Sequence, residues 1–117
     1  MTDSTDQFPE FVRNPSNSVD DAPPGMSGFI YDGVQGEQVV FWENREGGSS
    51  PPHSHDFWEY AVVVQGTFDG RIGDQEVHLG PGDECAIPPG VVHEGRYSPN
   101  YRAIDVFGGK RVCRVNH

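Results

Sequence analysis

The stretch GGSSPPHSHDFWEYAVVVQG, residues 47–66, decides the fold of this chain because it combines turn residues, two closely spaced histidines and a Val-rich segment. Residues 60–64 have the β-branched composition and the length of a buried strand. Glycines bound the stretch at both ends, and Pro51-Pro52 interrupts it, which is typical of segments that join short strands. The stretch therefore predicts a strand that follows a tightly turned segment containing histidines.

The composition of the whole chain extends this prediction to an all-β domain. Its 117 residues are near the commonest size for a single domain. Fourteen Val and four Ile but one Leu, together with fifteen Gly and ten Pro, favour strands and turns over helices. Apolar blocks of strand length recur at 29–31, 38–42, 60–68, 76–79, 84–87, 91–93 and 101–107. We expect an antiparallel sandwich or barrel, with a hairpin turn at either Asp69-Gly70 or Gly73-Asp74.

The chain is predicted to have three segments. They are an irregular acidic N-terminal arm, a barrel domain and a C-terminal tail, at 1–28, 29–112 and 113–117. The arm carries five acidic residues and one Arg among Pro, Ser and Asn, without strand or helix periodicity. Phe8, Phe11 and Val12 are the apolar residues with which it can dock on the barrel or on a second subunit.

The charge balance excludes several kinds of partner. Eight basic and eighteen acidic residues give a net charge of −10, and Lys110 is the single Lys. Nucleic acids and membranes are therefore not expected as partners, whereas a small anionic molecule held by a local Arg is compatible with the sequence. No run of about 18 apolar residues is present, and the N-terminus has no secretion-signal pattern. We expect a cytoplasmic protein in which Cys85 and Cys113 are free thiols.

Four potential metal ligands occur at suggestive spacing. In an extended segment His53 and His55 project from one face, and Glu59 can return to that face after a short bend. His93 from a later strand would complete a set of three nitrogens and one oxygen. The alternative for the H-x-H pair alone is two solvated histidines in a loop.

Two motifs resemble those of the cupin superfamily, which read G-x5-H-x-H-x3,4-E-x6-G and G-x5-P-x-G-x2-H-x3-N. The first matches residues 47–66, and the second matches 82–97 with Tyr97 in place of the final Asn. Residues 29–112 as a whole are similar to one cupin domain. The resemblance implies a double-stranded β-helix, or jelly roll, of about six to eight strands with a metal inside, and a homodimer.

The resemblance also implies which residues bind the metal. They are His53, His55, Glu59 and His93. Three imidazoles and one carboxylate suit a divalent transition metal such as Zn, Ni, Fe, Mn or Co, and the ligand type does not choose among them. Four protein ligands leave at least one coordination position for catalysis or ligand recognition. His78 and His117 lack partners at ligand spacing and are expected to be solvated.

The last apolar block places an acid among apolar residues. Asp105 and Phe107 share one face of the strand by period 2, and Arg111 follows. Asp105 either forms a structural ion pair with Arg111 or Arg102, or moves a proton beside the metal while Arg111 holds a substrate carboxylate.

The spacing D-x-F-x3-R of Asp105, Phe107 and Arg111 resembles a C-terminal motif of small cupins from pectin and alginate breakdown, which convert 4,5-unsaturated monouronates to linear ketouronates. The resemblance implies that Asp105 and Arg111 are catalytic and that Phe107 and Arg111 bind substrate. Tyr60 is a further candidate for substrate binding. The fourth ligand of that family is often Gln, where this chain has Glu59.

We therefore expect a metal-dependent enzyme that acts on a small polar or sugar-acid substrate, with isomerisation or ring opening of an unsaturated uronate as the specific case. One alternative is an iron-dependent dioxygenase. The other is a ligand-binding or sensing cupin without turnover, because a fold does not determine a function.

Overall fold

The computed structural model describes residues 7–22 and 25–115. Within them the chain forms a short 3-10 turn at Pro15–Asn17 and nine β-strands. The strands are β1 (Met26–Asp32), β2 (Gln38–Asn44), β3 (Gly48–His53), β4 (Glu59–Gln65), β5 (Phe68–Ile72), β6 (Gln75–Leu79), β7 (Glu84–Ile87), β8 (His93–Tyr97) and β9 (Tyr101–Phe107). No helix in the described ranges has the length and apolar character needed to cross a membrane.

The strands form two antiparallel sheets, which confirms the predicted all-β jelly-roll class. The larger sheet has the order β1-β2-β9-β4-β7, and the smaller has the order β3-β8-β5-β6. Side chains alternate between the two faces of each strand. In β4, Glu59 and Val63 are buried in the interior, whereas Tyr60 between them is on the outer face. The interior lies between the two sheets.

Several strands differ from the predicted blocks. β3 contains no β-branched residue, and it is a strand because it pairs with β8. The block at 60–68 is two strands, β4 and β5, separated by Gly66 and Thr67, where Gly66 has a φ of 78°. Gly73-Asp74 forms the hairpin turn between β5 and β6, and the alternative Asp69-Gly70 lies inside β5. The block at 91–93 mostly precedes β8.

The N-terminal arm packs on the outer face of the larger sheet of its own chain. Phe8 is buried and meets the Phe41 ring edge-on at 5.3 Å, while the guanidinium of Arg102 lies 5.1 Å from its ring centre. The backbone N–H of Phe8 donates to the Glu43 carboxylate at 2.8 Å. Phe11 is 84% exposed. Of Phe8, Phe11 and Val12, Phe8 is therefore the one that is buried against the sheet.

The predicted segment boundaries fall inside continuous structure. β1 begins at Met26, three residues before the predicted start of the barrel domain. Val19 of the arm is buried in the barrel core and pairs with Arg114 of the predicted C-terminal tail, which also forms an ion pair with Asp32. Both terminal segments are thus joined to the barrel. His117 lies outside the described residues.

Two apolar clusters fill the interior. The first contains Val19, Ile30, Val40 and Phe107, with Ala22, Trp42, Phe57 and Val112 packed against it. The second contains Val63, Tyr101 and Ala103, with Phe68, Leu79 and Tyr97 packed against it. Because β9 contributes to both clusters, Asp105 lies between them on the same strand face.

Candidate metal centre

Two histidines are neighbours on adjacent strands of the smaller sheet. His53 is the last residue of β3, His93 is the first residue of β8, and the two are directly opposite in the strand register. Opposite residues in an antiparallel pair have neighbouring side chains on one face of the sheet. Their ring centres are 4.1 Å apart. The smaller sheet therefore supplies two imidazoles to one point.

The two prolines of β3 explain the local geometry at His53. Proline has no N–H to donate to a strand ladder, and the register of β3 against β8 shifts between Ser50 and His53. Three residues of β3 then span a distance that two residues of β8 span, which makes a β-bulge. Bulges bend the strand and change the direction of the side chain that follows them.

The other two candidate ligands come from the next part of the chain. His55 lies in the loop after β3, and Glu59 is the first residue of β4 in the larger sheet. Glu59 Oε1 lies 3.3 Å from Nε2 of His55 and 3.3 Å from Nε2 of His93. Ligand atoms of His53, His55 and His93 all lie within 4.8 Å of one another. The four side chains converge where the two sheets meet.

Backbone carbonyls orient two of the imidazole rings. His53 Nδ1 is 2.8 Å from the carbonyl oxygen of Pro51, and His93 Nδ1 is 3.0 Å from that of Val91. A carbonyl oxygen only accepts, so in both rings Nδ1 carries the hydrogen that it donates. Nε2 then presents a lone pair, which is the arrangement that metal-binding histidines show.

Buried atoms without partners show that these residues fit a metal ion. Within the described part of the chain, the buried side-chain nitrogen and oxygen atoms that lack a hydrogen-bond partner are His55 Nε2, Glu59 Oε1 and His93 Nε2. Buried polar atoms nearly always have a hydrogen-bond partner, so three unpaired atoms in one place require an explanation. Two ligand atoms on a tetrahedral ion lie about 3.4 Å apart when each is about 2.1 Å from it. The 3.3 Å separations match that spacing, and the site can hold a metal.

The charges of the cluster shift the pKa values of its members. Glu59 raises the pKa of His93, whereas burial lowers the pKa of His55 despite the opposing charge of Glu59. Burial acts to raise the pKa of Glu59, but the close approach and charge of His93, followed by the charge of His55, leave it below its usual value. The carboxylate form of Glu59 is therefore favoured, and that form is the one that binds a metal.

Asp105 lies beside this cluster. In the strand register it is a diagonal neighbour of Glu59 on β4 and of Trp42 on β2, on the inner face of the larger sheet. Burial, followed by the charge and hydrogen bond of Glu59, holds the pKa of Asp105 well above its usual range, although Trp42 and the charge of Arg111 act in the opposite direction. The structure thus places a second carboxyl beside a candidate ligand.

The ion pair that was one of the two alternatives for Asp105 is not found in the described part of the chain. Neither Arg111 nor Arg102 makes an ion pair with Asp105 among the pairs found in the described residues. Arg102 instead donates to Gln65 Oε1 at 2.7 Å and to the carbonyl of Gln7 at 3.1 Å. Arg111 is exposed, and its positive charge acts on His55, His93 and Asp105.

The two other predicted site residues lie in different surroundings. Phe107 is 2% exposed, and its ring meets those of His55 and Phe57 edge-on at 5.8 and 6.2 Å. Tyr60 is 40% exposed on the outer face of β4, and its neighbours across the strands are Ala86 and Val106. Phe107 therefore supports the His55 ring, and Tyr60 is not brought together with the histidines.

Two residues beside the site were not predicted from the sequence. Phe57 stacks on His55 with ring centres 5.2 Å apart and an angle of 2° between the planes. The sequence carried no clear signal for this contact, because residues 56–57 form a bend in which strand alternation does not apply. Gln38 is buried and hydrogen-bonded to the backbone of Arg111. No local pattern marks this role, since the backbone groups that it binds at Arg111 and Val112 are 73 and 74 residues away.

A small antiparallel jelly roll with three imidazoles converging in its interior defines a metal-binding β-barrel protein. The sequence profile described as "Cupin domain" matches residues 40–99. This match covers just over half of the chain, and the chain belongs to the cupin domain family. A comparison with curated protein sequences finds no significant match.

Solved structures of cupins share this fold. KdgF from Halomonas sp. is 26% identical, with a TM-score of 0.71, and the match covers 80% of this chain and 86% of that one. An RmlC-like cupin from Shewanella frigidimarina is 22% identical, with a TM-score of 0.73 and 90% of each chain covered. Oxalate decarboxylase from Bacillus subtilis, which has Mn(II) centres, is 16% identical, with a TM-score of 0.70, and the match covers 86% of this chain and 31% of that one.

Proposed function

We propose that this protein is a metal-dependent enzyme that acts on a small anionic sugar acid, and that it opens the ring of an unsaturated uronate. One observation carries the proposal. Asp105 lies on the same inner face as Glu59, as its diagonal neighbour across strands β9 and β4, and Glu59 Oε1 lies 3.3 Å from Nε2 of both His55 and His93, so a carboxyl outside the ligand set lies next to the metal centre. The D-x-F-x3-R spacing and its resemblance to the uronate-linearising cupins support the same reaction.

The proposed reaction is an isomerisation, so it needs no oxidant or second substrate. In a cyclic 4,5-unsaturated uronate, the ring oxygen joins the hemiacetal carbon C1 to C5. When the C1 hydroxyl loses its proton, the bond between C1 and the ring oxygen breaks, and its electron pair forms an enolate at C5. Protonation at C4 then gives an aldehyde at C1 and a ketone at C5, with the molecular formula unchanged.

Each residue has a defined role in this proposal. A divalent metal held by the three histidines and Glu59 supplies Lewis-acid stabilisation of negative charge on oxygen. Asp105 accepts the proton from the C1 hydroxyl and returns a proton at C4. The Arg111 guanidinium pairs with the carboxylate on C5, which orients the ring. The positive charge of Arg111 can attract an anionic substrate even though the chain as a whole has a net charge of −10.

The proposal is tested with a purified 4,5-unsaturated monouronate, whose conjugated double bond absorbs in the ultraviolet and is lost on ring opening. The metal-loaded wild-type protein should accelerate the loss of absorbance. Asp105→Asn should lower kcat by about 100-fold or more while retaining the metal, as expected for removal of an acid–base group. Arg111→Ala should raise KM by about tenfold through loss of the charged pair.

Arg71→Ala is the matched control, because Arg71 is an exposed arginine of β5 on the outer face of the smaller sheet. It should leave both kinetic constants unchanged. Turnover by Asp105→Asn at the wild-type rate would contradict the proposal. Bound iron together with substrate-dependent oxygen uptake would replace it with the dioxygenase alternative.

A further inference from the structure

Gln38 is a buried amide whose hydrogen-bonding capacity is fully used. It lies on the inner face of β2 and is 3% exposed. Its Nε2 donates to Asp32 Oδ1 at 2.9 Å and to the carbonyl of Val112 at 3.0 Å. Its Oε1 accepts from the N–H of Arg111 at 2.7 Å and from the N–H of Val112 at 3.1 Å. Burying an amide is costly without such partners, so this complete set marks an organised contact.

Three of the four hydrogen bonds of Gln38 join it to the segment that leaves the barrel after β9. Residues 108–112 have no strand partner of their own, and Gln38 supplies hydrogen bonds that a neighbouring strand would otherwise supply. The orientation of the amide is unambiguous, because backbone N–H groups require its oxygen and carbonyl and carboxylate oxygens require its nitrogen. Gln38 therefore fixes the backbone at Arg111 and Val112.

A second anchor fixes the other end of this segment beside the metal centre. The N–H of Gly108 donates to the carbonyl of Trp58 at 2.8 Å. A Cβ on Gly109 would lie 2.5 Å from the Phe57 ring, so a glycine is needed for this close approach. Phe57 in turn stacks on His55. The segment thus lies against the loop that contains a candidate metal ligand.

We propose that Gln38 is a positioning residue that holds Arg111 at the exposed edge of the metal centre, and so sets the affinity of the site for a carboxylate. This inference rests on the proposed function for the role of Arg111 as the anion-binding group. Gln38 does not contact substrate in this account. It acts through the backbone of Arg111, whose side chain reaches the site only if that backbone is held in place.

The test measures binding, not turnover, of two stable probes: saturated galacturonate and its uncharged methyl ester. Gln38→Met keeps the approximate volume of the side chain and removes all four hydrogen bonds. It should weaken galacturonate binding to the metal-loaded protein by about tenfold and change methyl ester binding by less than about twofold. In an Arg111→Ala background the same substitution should have no further effect. Hydrogen exchange at the amides of Arg111 and Val112 should become faster in Gln38→Met.

Gln65→Met is the matched control, because Gln65 also accepts from an arginine, Arg102, but away from the metal centre. It should leave the binding of both probes unchanged. Gln38→Asn is the second variant in case Gln38→Met does not fold. It keeps the amide but is one methylene too short for all four hydrogen bonds, so its loss of galacturonate affinity should be smaller and should also be specific for the acid. Gln38→Glu would place a carboxylate oxygen against the Asp32 carboxylate and the Val112 carbonyl, both of which only accept, so it should weaken galacturonate binding at least as much as Gln38→Met.

The inference is overturned if the folded variants bind galacturonate as tightly as the wild type. It is also overturned if acid and ester lose affinity equally, if the loss persists in Arg111→Ala, or if the wild type shows no preference for the acid. Acid-specific binding that depends on Gln38, without conversion of the unsaturated uronate, would defeat the proposed reaction and support the role of Gln38. The two failures are therefore distinguishable.

Discussion

The protein has two groups of histidine and carboxylate side chains that differ in where they lie. The inner histidine group consists of His53, His55, His93 and Glu59, in the barrel interior. The outer histidine group consists of His78, Asp69 and Glu76, on the outer face of the smaller sheet. In the outer group His78 Nδ1 is 2.8 Å from Asp69 Oδ1, and His78 Nε2 is 4.0 Å from Glu76. Among the ion pairs of residues 7–22 and 25–115, the shortest distance between a histidine and an acid is thus in the outer group.

Exposure, not distance, separates the two groups. The side chain of His78 is 71% exposed and that of Asp69 is 54% exposed, so water can satisfy whatever their contact leaves unpaired. The side chains of His55, His93 and Glu59 are each 10% exposed or less. Each has a buried nitrogen or oxygen atom that lacks a hydrogen-bond partner, and the Glu59 atom lies 3.3 Å from each of the other two. A polar cluster that water cannot satisfy needs another partner, and this need distinguishes a metal centre from a surface ion pair.

The largest expected difference between the groups is the effect of metal on stability. A ligand that binds the folded state alone stabilises it by about 4 kcal/mol at a free concentration a thousandfold above its Kd. Chelation should therefore lower the free energy of unfolding of the wild type and of His78→Ala by similar amounts. It should have no effect on His55→Ala. Denaturant titrations with and without chelator measure this, and an equal response of His55→Ala and His78→Ala would remove the distinction between the groups.

A smaller effect is expected on the reactivity of Cys85, whose thiol lies in the barrel interior with the inner histidine group. Burial, followed by the charges of Asp105 and Glu59, raises the pKa of Cys85 to about 11. A raised pKa keeps the thiol protonated at neutral pH, and the reactive thiolate appears only as pH approaches that value. In Cys113→Ser, alkylation of Cys85 near neutral pH should be on the order of 100-fold slower than that of glutathione.

Mass spectrometry after timed alkylation gives that rate, and unfolding the protein should remove the protection. Reaction of folded Cys113→Ser as fast as glutathione would show that the interior is open to solvent and would weaken the contrast between the two regions.

The smallest effect is expected for the outer group itself. Exposed ion pairs contribute at most about 1 kcal/mol, so Asp69→Asn should change the free energy of unfolding by less than that amount and leave metal binding unaltered. Denaturant unfolding measures the change. A loss of more than about 2 kcal/mol would mean that the outer group has a structural role comparable with that of a buried network.

The sequence predicted the inner group from local spacing together with the resemblance to the cupin motifs. His53 and His55 are two residues apart and Glu59 is four further on, whereas His93 was assigned through the second motif. The all-β class likewise followed from Val-rich blocks separated by Gly and Pro. Those features depend on neighbours in the chain, which a sequence displays.

Features that depend on distant partners were not predictable in the same way. β3 lacks β-branched residues and is a strand only because β8 pairs with it. Gln38 looks like the polar start of an apolar strand, and its role depends on backbone 73 and 74 residues away. The outward position of Tyr60 followed from alternation with Glu59, so its assignment to substrate binding was the weaker prediction.

Cobalt(II) titration of the metal-free protein, followed by visible absorption, tests the claim that the inner histidine group is a metal centre. The claim predicts one ion per chain, with a spectrum of nitrogen and oxygen ligation, in the wild type and in His78→Ala. It predicts no such binding in His55→Ala or His93→Ala. Unchanged stoichiometry and spectrum in His55→Ala and His93→Ala, or loss of binding in His78→Ala, would contradict it.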